Sequence, residues 1–433
     1  MRREKGSPWI MEMDDCLRFP ALDHDLEADV VIVGGGIAGM STAYYLAEGS
    51  DLRVALLERD RIGQGSSGRN AGQGLAVMER SFADLLNDHE GGHIADILNQ
   101  LESGHMLLRE LCREVDHRPE PIESVVWTGL SGIDEITGAL IELELRQRFK
   151  APLQSLVVAE EVAGRLRIHH SIKDLVSTEK ARWLQDVLHT KDDYLAAFAS
   201  PVSLVNSGKL CQSIARYLVR KHLGRIGIFE GSAVERIDGG PGLKAWLREH
   251  AASARAVVLC TNGYPVPLMS SSARPKATTS LKQYLASMVA YEPTDRQSPG
   301  AYIYYHEEGD PREEPYFYFT RRPFDVTGKD LVAVGGPQVQ VVGDLDPEVE
   351  LPDGVYGRID DFVERSSLDP LRNSKARCWN GLMGYTSDGL RLVGPDHEVD
   401  GLWYNLGCNG VGLLPSLVEG RKVARQLGER LRR

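Results

Sequence analysis

The segment Asp29–Gly72 constrains this chain more than any other. Asp29–Val33 is a short β-branched run ended by glycines, which reads as a buried strand. Ile37 to about Ala47 reads as a helix and Arg53–Leu57 as a second buried strand. Together they form a βαβ unit of about 30 residues, as a parallel sheet requires. Between strand and helix stands a G-x-G-x-x-G turn, Gly34 to Gly39. Gly34 permits the tight turn, Gly36 lets the backbone approach a pyrophosphate, and Gly39 lets helix and strand pack closely. Ile37 and Ala38 open a helix whose free N–H groups and positive dipole end suit phosphates. Glu58, followed by Arg59, ends the second strand and suits the two ribose hydroxyls, disfavouring a 2′-phosphate. The unit predicts dinucleotide binding without separating a flavin from a nicotinamide.

Two further glycine-rich stretches favour FAD. Gly63 to Gly72 is a small polar loop with backbone donors, the hydroxyls of Ser66 and Ser67, the cation Arg69, then Asn70, Ala71 and Gly72. It suits phosphates and a flavin ring approaching edge-on. Near the C-terminus, Gly407, Cys408, Asn409, Gly410, Val411 and Gly412 open a helix with Pro415 in its first turn. A helix N-terminus aimed at the N1–C2=O edge of a flavin would stabilise the reduced ring. An NAD enzyme has no need of this second turn.

In this order the motifs resemble the D-amino-acid oxidase-like flavoenzyme family, which includes glycine oxidase, sarcosine oxidase and γ-glutamylputrescine oxidase. The likeness runs through PALDHDLEADVVIVGGGIAG, GSSGRNAG, Val257–Tyr264, Leu331–Gly336, Trp379–Gly394 and GCNGVG, nearly the whole chain. It implies FAD, an antiparallel substrate sheet and two-electron oxidation of a C–N bond. It also adds Thr261, Asn262, Gly263 and Gly381 to the cofactor set, with Val234 near the adenine. The chain departs from the family in three places. Gly381 and Leu382 stand where some relatives attach flavin through cysteine, with Cys378 slightly upstream, and Gly68-Arg69-Asn70 stands where others use histidine. Non-covalent FAD is therefore expected. The family's usual proline after T-x-D is Arg391 here. Val332-Ala333-Val334 replaces the strand that carries an oxygen-assisting lysine in sarcosine oxidases. That substitution keeps a dehydrogenase with another electron acceptor beside the oxidase that gives H2O2.

The expected fold class is α/β: a Rossmann-like FAD/NAD(P)-binding domain interrupted by an α+β substrate domain with an antiparallel sheet. The cofactor domain takes residues 29–80, 200–265 and 375–433 after an N-terminal extension, 1–28. The substrate domain takes 81–199, read as mostly helical from 3–4 spacing such as Ile94, Ile97, Leu98 and Leu101, and 266–374. In the latter, AYIYYHE, PYFYFTRR and DLVAVGG alternate as antiparallel strands do.

Substrate contacts are sought in that sheet. Tyr302 and Tyr304 share one face of their strand, and Tyr316 and Tyr318 one face of theirs. They form either cross-strand pairs or an aromatic wall over the flavin. Arg321 and Arg322 could clamp a carboxylate, and His306 could act as a base. Lys282 and Trp379 are weaker candidates.

Composition narrows the partners. The 433 residues carry 50 Lys+Arg against 62 Asp+Glu, a net charge of −12, which argues against nucleic acid. The six cysteines are far apart, with no metal-ligand spacing, and read as reduced thiols of a cytoplasmic enzyme. No secretory signal or membrane span is read from the sequence. A small amine or amino acid and O2, or another electron acceptor, are the expected partners. A colourless NAD-dependent oxidoreductase and a flavin-binding subunit without turnover are the competing readings.

Overall fold

Leu26–Val33 lies at the centre of a nine-stranded sheet because its residues are apolar on both sides. Val30 and Ile32 face helices Ile37–Gly49, Ser207–Lys221 and Leu413–Leu431, while Val31 and Val33 face the opposite core. Such two-sided burial is the hallmark of a parallel strand. The strand pairs in parallel with Val54–Leu57 and Ala251–Leu259. Beyond these lie Ile226–Phe229, parallel to Val54–Leu57, and Leu402–Leu406, parallel to Ala251–Leu259. The computed structural model describes residues 3–239, 242–264, 268–269, 281–293, 297–305, 316–341, 353–366, 371 and 374–432.

A second, eleven-stranded sheet runs in the order Glu4–Lys5, Lys375–Thr386, Leu281–Glu292, Lys329–Val341, Tyr316–Phe324, Gly300–Tyr305, Ile122–Leu130, Ala196–Leu204, Ser155–Ala159, Val176–Glu179, with Gln73–Gly74 beside Ala196–Leu204. Its outer face packs on helices Ile133–Phe149, Ala181–Val187 and Asp353–Arg365. Its inner face turns toward the nucleotide turn.

Residues 81–199 hold six of the helices, but they are not helical alone, since four strands of the large sheet also begin there. Ala196–Leu204 is alanine-rich and holds Pro201, so its pairing with Ile122–Leu130 overrides weak local preference. The apolar spacing of Leu184–Phe198 also suits a helix, but the helix there is Ala181–Val187 and a strand starts at Ala196. Lys375–Thr386 pairs along its whole length with Leu281–Glu292 of the large sheet. Within the first residues, Glu4 and Lys5 pair with Arg377 and Cys378, and the Ser7 hydroxyl donates to Gly68 O at 2.6 Å.

Candidate functional site

The nucleotide turn is closed by contacts that only glycine permits. Gly34 has φ +109°, and a Cβ there would lie 2.7 Å from Cys260 O. A Cβ on Gly39 would lie 1.9 Å from Gly34 O, so Gly39 sets the approach of helix to strand and stands behind the site. Of the first-turn amides, that of Ile37 donates to Ser67 Oγ at 2.9 Å and that of Met40 to Gly36 O. The amides of Ala38 and Gly39 have no partner among the described residues. Glu58 accepts from the Gly35 and Asp60 amides at 2.6 and 2.9 Å. Burial raises its carboxyl above the usual range, and those two bonds pull it back. Arg59 stacks over the Tyr264 ring at 4.7 Å.

The polar loop is held from several sides. Asn70 Nδ2 donates to Ser67 O and to Ser207 Oγ, and its Oδ1 accepts from the Gly72 amide. Ser66 Oγ donates to Leu382 O at 2.5 Å. Asn262 joins this loop to the C-terminal turn: its Nδ2 donates to Ser66 Oγ at 3.4 Å and its Oδ1 accepts from the Cys408 amide at 3.0 Å. No local pattern signals this bridge, which spans residues 66, 262 and 408.

These elements line one cavity of about 560 Å³. Its nucleotide end carries Gly34, Gly36, Ile37, Ala38, Glu58, Arg59, Val234 and Thr261. Its middle carries Ser66, Ser67, Arg69, Asn70, Ala71, Asn262 and Gly381, and Gly410, Val411 and Gly412 follow. Several expected contacts stand behind the wall instead. Gly72 packs on the Trp9 ring, Gly263 on the Met383 backbone and Gly407 on Thr386. Asn409 turns away, its Oδ1 accepting from the Thr386 amide at 2.7 Å and its Nδ2 donating to Gly389 O at 3.0 Å. It fixes the turn and does not face the cavity.

The large sheet presents the opposite face to the one expected for one tyrosine pair. Tyr316 and Tyr318 line the cavity, whereas Tyr302 and Tyr304 lie in the outer core. Tyr304 is 1% exposed, donates to Leu188 O at 2.7 Å and packs on Phe362. Alternation places residues on a common face without saying which face is inward. Arg321 is also off the cavity, buried 3.6 Å from Asp330. Arg322 is bound by Glu12 at 3.0 and 2.5 Å, with its guanidinium 4.1 Å from the Trp9 ring. Trp379 donates to Arg69 O at 3.0 Å, and Lys282 is exposed. His306 lies outside the described residues.

Several wall residues were not anticipated. Glu79 accepts from Tyr316 Oη at 2.6 Å. Burial raises its carboxyl, and this bond lowers it. Arg146 pairs with Glu142 at 2.7 Å, and Gln154 donates to Ser200 Oγ at 2.5 Å. Arg391, at the family's proline position, lies between the two glycine turns and donates to Asn405 Oδ1 and Ser416 Oγ. All come from segments distant in sequence, and only Arg391 had a sequence signal, as a departure from the family pattern.

Fold and site define a dinucleotide-binding oxidoreductase whose cofactor cleft runs on into a compartment against the large sheet. The sequence profile of the FAD dependent oxidoreductase (DAO) family matches residues 29–426, and the chain belongs to that family. Its cofactor is FAD, which the glycine cradle and the Ala38 amide on the cavity wall fit. Gamma-glutamylputrescine oxidoreductase of Escherichia coli (strain K12) is 40% identical over 89 residues, 18% of this chain and 21% of that protein. The chain thus spans about a fifth or less of the length of the curated relatives it matches. Glycine oxidase from Geobacillus kaustophilus superposes with TM-score 0.69 at 18% identity, over 94% of this chain and 95% of that one. L-proline dehydrogenase from P. horikoshii gives 0.67 at 15%, over 94% of each. These two likenesses show the fold. Among the described residues no helix is long and apolar enough to cross a membrane.

Proposed function

We propose that the protein oxidises the C–N bond of a small amine or amino acid, giving an imine that hydrolyses to a carbonyl compound. The observation that carries this reading is the continuity of the cavity, from the Gly34 turn past Gly410 to a compartment walled by Met288, Ile303, Tyr316, Tyr318 and Met383. Bound FAD supplies a two-electron, hydride-accepting centre. The chain's own part is to hold the cofactor by Gly36, Ala38, Glu58, Ser66 and the Gly410–Gly412 turn, and to orient the substrate against it. Apolar and aromatic walls strip water from the amine and so favour its neutral, reactive form. The names of the similar proteins, which include an oxidoreductase of a putrescine derivative and a glycine oxidase, support an amine or amino acid as substrate.

Non-covalent FAD is part of this reading. Gly381, not a cysteine, faces the cavity, and Cys378 packs against the outer core. A dehydrogenase using another electron acceptor is favoured by the Val332–Val334 strand. There Val332 and Val334 pack outward and Ala333 lies inward beside Trp379, with no cation among them.

Product analysis tests the proposal. Aerobic incubation of the yellow holoprotein with amines and amino acids should yield a carbonyl compound and an amine or ammonia. One H2O2 per carbonyl marks an oxidase. Product formed only with an added quinone or phenazine marks a dehydrogenase. No carbonyl under either condition contradicts the proposal.

A further inference from the structure

Five arginines stand on the cavity wall among the described residues: Arg59, Arg69, Arg80, Arg146 and Arg391. Three face carboxylates. Arg59 pairs with Asp60 at 2.9 Å, Arg80 with Asp88 at 2.8 Å and Arg146 with Glu142 at 2.7 Å. Arg69 is held by its own loop, its Nε donating to Gln64 O at 3.0 Å. Arg391 meets neutral groups. Its Nη2 donates to Asn405 Oδ1 at 2.8 Å and to Ser416 Oγ at 3.1 Å, and its buried Nε has no partner among the described residues. Burial disfavours its charged form, with Cys408, Glu419 and Cys260 acting the other way. Glu419 is itself engaged by Lys422, at 3.4 Å. A buried guanidinium in this state is short of an anion.

Its anchors place Arg391 at the nucleotide end of the cavity. Asn405 Nδ2 donates to Ala38 O at 3.3 Å and to Ser416 O at 3.2 Å, and Ser41 Oγ donates to Ser416 O at 2.9 Å. One hydrogen-bonded network therefore joins the guanidinium to the first turns of helices Ile37–Gly49 and Leu413–Leu431. Both helices bring N-terminal residues to the wall, Ile37 and Ala38 from one and Leu413 from the other. The positive ends of two helix dipoles and one cation thus act on the same stretch of wall. In FAD the negative charge lies on the diphosphate, and the oxidised flavin ring is neutral. Arginine presents paired N–H donors that match phosphate oxygens. None of these bonds reaches Tyr316 or Tyr318 in the compartment beyond, so a substrate carboxylate is the poorer match.

We propose that Arg391 binds the diphosphate of FAD, supplying a counter-charge that the glycine turn alone lacks. The inference goes beyond the amine-oxidation reading and holds whatever substrate is oxidised.

The test reads FAD affinity from the flavin fluorescence released when the holoprotein is diluted, and ADP affinity from displacement of FAD. ADP keeps the diphosphate and lacks the flavin. Arg391→Gln keeps an amide donor for Asn405 and Ser416 and removes the charge. It should weaken FAD and ADP by the same factor, about tenfold or more (about 1.4 kcal/mol), and leave the flavin midpoint potential unchanged. Arg391→Lys, which keeps the charge, should lose less. An unchanged FAD affinity in Arg391→Gln, or a loss as large in Arg391→Lys, overturns the assignment. A loss for FAD but not ADP, with a lowered midpoint potential, also overturns it and puts the guanidinium beside the flavin ring. The unaltered protein gives a check that needs no variant to fold: ADP should displace FAD far below the concentration at which adenosine does, and equal potency of the two would overturn the diphosphate site.

Discussion

Ser67 Oγ accepts the amide proton of Ile37 at 2.9 Å, so the polar loop caps the helix that opens the nucleotide site. The two glycine-rich motifs are therefore one structural unit, although each reads alone in the sequence. Ser67→Ala removes this cap and should cost about 0.5–2 kcal/mol of stability. Thermal unfolding of the FAD-free protein checks it, and an unchanged midpoint would show that the cap contributes nothing.

Glu12 binds Arg322 in a fork whose side chains are 2% and 6% exposed. Glu12→Gln would leave a buried guanidinium without its counter-charge, which typically costs about 3–5 kcal/mol. Urea unfolding should show a midpoint shifted far below that of the unaltered protein. Because Ser7 holds Gly68 O from the same segment, FAD affinity should fall with it.

Tyr304 and Tyr318 should separate stability from function. Tyr304→Phe strands Leu188 O in the core and should cost about 1–3 kcal/mol, with substrate oxidation unchanged once folded. Tyr318→Ala, on the cavity wall, should raise KM severalfold. Denaturation curves and steady-state kinetics on both variants decide the matter, and a kinetic defect in Tyr304→Phe would contradict the assignment of faces.

His117 is buried beside Ser213 Oγ, and burial, with smaller contributions from Lys209 and Arg118, pushes it down to about 4. The unfolded chain takes up this proton at about pH 6.5. The contribution to stability is thus complete above pH 6.5 and is lost as pH falls toward 4. Unfolding free energies measured across that window should drop less steeply in His117→Gln than in the unaltered protein.

The nucleotide turn was legible because its demands are local: Gly34, Gly36 and Gly39 act within six residues of each other, and the strand and helix around them show in the hydrophobic pattern. The tyrosine sheet was legible only in part. Pairing of Tyr302 with Tyr304, and of Tyr316 with Tyr318, follows from alternation, but the inward face depends on which core the sheet covers. Asn409 sat in the correct motif, yet its side chain serves the backbone of residues 386 and 389. Glu79 had no signal because its place on the wall is set by contacts with Tyr316 and Gly410, far along the chain.

Anaerobic flavin reduction tests the central claim most directly. The holoprotein, mixed without oxygen with amines and amino acids in turn, should lose its oxidised-flavin absorbance with at least one of them. A yellow protein that dithionite bleaches but no amine or amino acid does would contradict the account.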